Sequence, residues 1–116
     1  MDHIKEEIQL IACQIVAAVG GAKSMYIEAI NLVKQGRVEE ARGKMKEGRD
    51  LYMESHTHHF SLIQKEAGGE DIPFSLILMH AEDQMLSTEI VELMASELIG
   101  VYEKMTFSQN VQNQEA

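Results

Sequence analysis

The stretch Leu76-Ile77-Leu78-Met79-His80-Ala81-Glu82-Asp83-Gln84-Met85-Leu86-Ser87 decides how this chain is read. It is an apolar run with a histidine and an aspartate set into it. Leu76, His80, Asp83, Ser87 and Ile90 recur at steps of four, three, four and three. On a helix that spacing places all five on one stripe. Two groups that can carry charge therefore share a packing seam with apolar neighbours. Burying such groups costs free energy unless partners offset it, so the stripe is expected to have a purpose.

The helix that carries the stripe is predicted over residues 73–105. Pro73, the only proline, fits a first helical turn, where its missing N–H costs nothing. Met79, Leu86, Ile90, Leu93 and Leu98 supply its broader apolar surface. Gly68-Gly69-Glu70-Asp71 is a loop. Before it, Val38, Ala41, Met45, Gly48, Tyr52, Ser55, His59 and Leu62 form a stripe at helical spacing, predicting a helix over 38–67. Gly36 fits the left-handed position that follows a helix.

Residues 2–35 read as the first helix. Asp2 is a suitable N-cap, and Ile4, Ile8, Ile11, Ile15 and Val19 make one apolar face. Gly20-Gly21 interrupts that face at a cost of about 2 kcal/mol against alanine. The pair reads as a contact point or bend within one helix, with a true break as the alternative. Residues 106–116 are polar, rich in Gln and Asn, and expected to form a disordered tail. The expected fold is all-α: a single domain over 1–105, an antiparallel up-down-up three-helix bundle with helices about 45 Å long. Seams this apolar also suit self-association.

A chain of 116 residues supports one modest core. With no Trp, six Phe and Tyr together and eight Met, that core is expected to be aliphatic and Met-filled. Ten basic against 19 acidic residues give a net charge of −9, which argues against nucleic acid as a partner. It suits a partner that brings its own basic patch. Cys13 lies in an apolar run and is expected to be a small core residue. A lone cysteine makes no intrachain disulfide, and a reducing cytosol is the natural setting. The apolar patch over 8–19 follows acidic residues and looks too short to span a bilayer. A cytoplasmic protein without membrane insertion is expected.

His80 is the sharpest candidate for chemistry. A neutral imidazole is a nucleophile at physiological pH, and a phosphorylated imidazole passes its phosphoryl group on readily. Gln84, one turn on, offers a donor for phosphoryl oxygens. From spacing alone a satisfied core histidine is the stronger reading of His80. Asp83 fits an orienting carboxylate or a cation ligand, and equally a surface carboxylate or a buried salt bridge. Symmetric copies of Asp83 brought together would need a metal ion or a proton between them. His56, His58 and His59 form a second cluster in which His56 and His59 share a helical face, a pattern that can hold a divalent metal or merely line a solvated seam. Glycine-rich phosphate loops, nucleophile elbows and His-Glu-x-x-His patterns are absent from the sequence.

The segment from Ile77 to Thr88 closely resembles the active-histidine motif of the enzyme IIA component of the lactose and cellobiose/diacetylchitobiose family. That family belongs to the phosphoenolpyruvate-dependent sugar phosphotransferase system. Glu28-Ala29, Gly36, Ser55-His56, Leu62-Ile63-Gln64-Lys65-Glu66-Ala67-Gly68 and Pro73-Phe74-Ser75 also fall where the family has similar features. The resemblance implies a cytoplasmic phosphocarrier that forms a homotrimer, hence a nine-helix assembly. It implies that His80 takes a phosphoryl group from the phosphocarrier protein HPr and gives it to a cysteine of enzyme IIB, for disaccharide uptake through membrane enzyme IIC. It implies that three copies of Asp83 meet on the threefold axis around a divalent cation, magnesium in related proteins. Gln84 stands where relatives often have histidine, and Gln84 and His56 are the candidates to line the phosphoryl pocket. Cellobiose or another β-glucoside is the favoured sugar. The alternative function is a non-catalytic helical oligomerisation module.

Overall fold

The computed structural model describes residues 2–115. Within them the chain forms three helices, α1 (Asp2–Lys34), α2 (Val38–Ala67) and α3 (Leu76–Glu115). They run up, down and up in a rod measuring 72 × 21 × 18 Å. The α1 helix packs along both others, whereas α2 and α3 touch each other far less. The three-helix bundle expected from periodicity is therefore the fold, with α1 as its spine.

Both connections are closed by glycine in the left-handed conformation. Gly36 has φ +78°; its N–H donates to the Val33 carbonyl at 3.0 Å, and the Arg37 N–H donates to that of Leu32 at 3.1 Å. Gly69 repeats the arrangement with φ +97°, its N–H on the Glu66 carbonyl and the Glu70 N–H on that of Lys65. Each pair satisfies carbonyls left over at a helix end, and glycine escapes the Cβ clash that such a φ imposes on other residues.

The core falls into two clusters. The first joins Ile8, Ile11, Ala12, Ile15 and Val19 to Leu62, Leu78, Ala81 and Met85. The second joins Ala22, Tyr26, Ala29 and Val33 to Ala41, Met45, Ala95 and Ile99. Between the clusters each helix carries a glycine pair or a hydroxyl: Gly20-Gly21 in α1, buried Ser55 in α2 and buried Thr88 in α3. Helix α1 runs unbroken through the glycines. A Cβ on Gly21 would lie 3.1 Å from Leu51 Cδ1, so this glycine admits a side chain of α2 and not its backbone. Ser55 Oγ donates to the Tyr52 carbonyl at 2.6 Å.

The structure corrects several readings. Cys13 is exposed and outside the core. At about 100° per residue it is rotated away from its buried neighbour Ala12. The core is not Met-filled: Met45 and Met85 are buried, but Met53, Met79, Met94 and Met105 are exposed. Small alanines let the helices close on one another instead. Helix α3 begins at Leu76 and not at Pro73, because Ser75 caps it. It also continues to Glu115, beyond the expected end at Met105. Residues 106–115 contain no glycine or proline to stop a helix already nucleated. Helix α1 contains an apolar window of mean hydropathy 1.5, long and apolar enough to cross a membrane by composition, where the 8–19 patch had looked too short. In the bundle its line from Ile8 to Val33 is buried against α2 and α3.

Candidate functional site

His80 stands one turn inside α3, on an exposed flank that borders a cleft shared with α1. Two contacts of Ser75 define that turn. Its Oγ accepts the Leu78 N–H at 3.3 Å, and its carbonyl accepts the Met79 N–H at 3.1 Å. Side chains on a helix lean toward its N-terminus, so the imidazole is carried back over this capped turn. There it meets a cleft of about 750 Å³ lined by Lys5, Ile8 and Gln9 of α1 and by 73–77 and His80. The imidazole is exposed. Phe74, 80% exposed, stands at the same cleft. An exposed nucleophilic ring, a lysine and the positive end of a helix thus share one opening, an arrangement suited to an anionic phosphoryl group.

The stripe on which His80 lies is not a seam inside the bundle. Leu76 is 72% and Ile90 63% exposed, and Asp83 is exposed between them. The line of α3 that packs on α1 is a different one: Leu78, Ala81, Met85, Thr88, Ala95 and Ile99. Burial of the polar pair within one chain is therefore corrected. The stripe faces outward, with Met79, Leu86, Leu93, Met94 and Val101 also exposed. Among the described residues Asp83 makes no ion pair, and no three His, Cys, Asp or Glu side chains cluster as a metal site.

Gln84 points into the groove between α1 and α3, where Lys23 Nζ donates to its Oε1 at 3.3 Å. Lys23 also approaches Ser87 Oγ at 3.5 Å. His56 does not join His80; it is exposed on α2, with its ring stacked on Phe60 at 6.2 Å between centroids. His59 faces the other flank of α3, its Nε2 3.6 Å from Glu82 Oε1. The His56, His58 and His59 cluster and the His80 cleft are therefore separate features of the chain. A further crevice of about 390 Å³ opens between α2 and α3 over Tyr26, Tyr52 and Arg49. Arg49 pairs with Glu92 at 2.8 Å and Tyr52 donates to Glu89. Burial, and then the Glu89 hydrogen bond, push the Tyr52 phenol well above its ordinary range.

The sequence reading missed Lys5, Ser75 and Lys23. A signal for them existed: an up-down-up bundle makes α1 and α3 parallel, so the first turns of α1 must lie beside the first turns of α3. The rotation of each helix about its own axis, which selects Lys5 and Lys23 from their neighbours, is not written in the periodicity.

Residues 10–103 match the family model described as PTS system, Lactose/Cellobiose specific IIA subunit. The chain belongs to that family. The lichenan-specific phosphotransferase enzyme IIA component of Bacillus subtilis (strain 168) is 38% identical over 103 residues, covering 89% of this chain and 94% of the relative. The lactose-specific EIIA component of Staphylococcus aureus (strain N315) is 33% identical over 100 residues, covering 86% and 97%. The crystal structure of the PTS cellobiose-specific enzyme IIA from Bacillus anthracis superposes with a TM-score of 0.81 at 34% identity, over 84% of this chain and 90% of that one. This enzyme IIA is accordingly a phosphotransferase component of the sugar phosphotransferase system, built as an all-helical bundle.

Proposed function

We propose that this enzyme IIA carries the phosphoryl group on His80, taking it from phosphorylated HPr and passing it to a cysteine of enzyme IIB. The observation that carries the reading is the exposed imidazole of His80 at the mouth of the Lys5 cleft, one capped turn into α3. A neutral ring nitrogen of His80 attacks phosphorus as the P–N bond to the HPr histidine breaks; the departing imidazole takes up a proton, and the other ring nitrogen of His80 gives one up, through solvent. In the second transfer the IIB thiolate attacks the same phosphorus. An S–P bond forms, the His80 N–P bond breaks, and the electron pair returns to the His80 ring. Three donor types near the cleft suit the phosphoryl oxygens: the Lys5 ammonium, the Ser75 hydroxyl and the amides of the first turn of α3.

The working unit is a homotrimer of nine helices in the cytoplasm. Its support is the outward apolar stripe of Met79, Leu86, Ile90 and Leu93, too continuous for a face left in water. Asp83 interrupts that stripe. Three copies on a threefold axis would place three carboxylates together, a hard-oxygen donor set that fits Mg²⁺ completed by water. The ion would neutralise the carboxylates and fix the register of α3. The substrate of the pathway is a disaccharide taken up through enzyme IIC, a β-glucoside such as cellobiose, in keeping with the lichenan- and cellobiose-specific relatives.

The test is mass-resolved phosphorylation with phosphoenolpyruvate, enzyme I and HPr. The parent protein gains one phosphate, acid-labile and base-stable, and His80→Ala gains none. A parent that stays unmodified while HPr is visibly phosphorylated would leave the helical oligomerisation module as the function.

A further inference from the structure

We infer that Lys23 is a positioning residue of the phosphoryl site, acting through Gln84; the inference rests on the reading of His80 as the carrier. Lys23 lies on α1, 61 residues from Gln84 in sequence, and is half-buried in the α1–α3 groove. Its ammonium donates to Gln84 Oε1 at 3.3 Å and approaches Ser87 Oγ at 3.5 Å. Among the described residues it has no carboxylate within ion-pair distance, unlike Lys44, Lys46, Lys65, Arg37, Arg42 and Arg49. In a chain of net charge −9 with 19 acidic residues, a half-buried lysine held only by neutral oxygens is unusual. It is placed where negative charge would arrive.

The contact settles the orientation of the Gln84 amide. An ammonium can only donate, so the amide atom that faces it is the oxygen. The Gln84 NH₂ is then turned outward, and among the described residues it has no protein acceptor. Gln84 is four residues after His80, hence one turn below it on the same face. Helical side chains lean toward the N-terminus, which sends this NH₂ toward His80. Lys23 therefore holds Gln84 with its donors presented to oxygens on the His80 phosphoryl group. Without Lys23 the amide is free to flip and offer its oxygen to a phosphate oxygen, a repulsive contact.

The experiment measures phosphoryl transfer from phosphorylated HPr to the full-length protein, and the hydrolytic lifetime of the phosphohistidine, for the parent, Lys23→Met, Lys23→Arg, Gln84→Leu and the double variant Lys23→Met/Gln84→Leu. Lys23→Met is expected to slow transfer about tenfold, the scale of one lost charge-assisted hydrogen bond. Lys23→Arg is expected to restore most of the rate, since arginine also only donates. The double variant is expected to match Gln84→Leu alone, because Lys23 acts through that amide. Circular dichroism unchanged in Lys23→Met excludes a fold defect as the cause. Additive losses in the double variant, or a parent-like rate in Lys23→Met with His80 fully phosphorylated, would overturn the assignment of Lys23 alone. Absence of phosphate on the parent would instead overturn the carrier reading on which it rests.

Discussion

Gly48 and Tyr26 show the bundle at the scale of a residue. A Cβ on Gly48 would lie 2.5 and 2.8 Å from carbons of the Tyr26 ring. That residue is 1% exposed, so its ring must shift within packed surroundings to admit the carbon. Gly48→Ala is expected to destabilise the protein by about 1–3 kcal/mol through overpacking, despite alanine's better helix propensity. Gly43 is the control on the same helix, with nothing within 4 Å of the added carbon. Gly43→Ala should stabilise by up to about 1 kcal/mol. Urea denaturation of both variants measures the contrast; a Gly48→Ala protein as stable as the parent would mean that Tyr26 repacks freely. His80 was legible at this scale because its motif is local in sequence. Tyr26 on Gly48 was not, since their contact joins two helices whose rotations periodicity leaves open.

At the scale of the element, α3 is defined by its first turn. Ser75 Oγ is the acceptor for the Leu78 N–H, and the same residue borders the His80 cleft. Replacing Ser75 by alanine should cost about 1 kcal/mol, as the loss of an N-cap does. The loss should appear as a lower thermal midpoint and as faster hydrogen exchange at the amide of Leu78, with Ser75→Asp restoring both. Unchanged exchange at Leu78 would show that the turn is held by packing and not by the cap. Sequence marked this helix start only to within three residues, because Pro73 and Ser75 are both acceptable at a helix N-terminus and their competition is settled by the geometry of the preceding loop. The α2–α3 pairing is another feature of elements that sequence left unseen. Its apolar contact is sparse, and polar links such as Arg49–Glu92, Tyr52–Glu89 and Arg42–Glu103 bridge it. The two ion pairs lie at the solvent boundary, where screening leaves them little net contribution to stability.

For the whole molecule, the outward stripe of α3 is the decisive surface. Ile90, 63% exposed, would sit in the core of the proposed trimer. Ile90→Asp is expected to sediment as a monomer, because it would bury three further carboxylates without partners. Asp83→Leu is expected to remain trimeric in the presence of a chelator, since it removes three like charges from the axis. Dissociation of Asp83→Leu would mean that the carboxylate makes a favourable pairing in the assembly. Analytical ultracentrifugation with and without Mg²⁺ reads both outcomes.

Sequence by itself determined the number of helices, their order, both glycine-closed connections, most of the α1 and α2 core and the candidacy of His80. These depend on periodicity, backbone conformation and a local motif, all of which are properties of contiguous residues. Tertiary structure alone decided which face of α3 the bundle buries. The chain offers α3 two apolar lines, one through Leu78, Ala81 and Met85 and one through Met79, Leu86 and Ile90. Hydropathy does not single out the buried one, since Ile90 makes the outward line the more apolar. Close approach to α1 selects the first, because Ala81 and Ala95, both fully buried, allow the helices to meet where larger side chains would hold them apart. That choice turns His80 and Asp83 outward and brings Lys5 and Lys23 to the stripe.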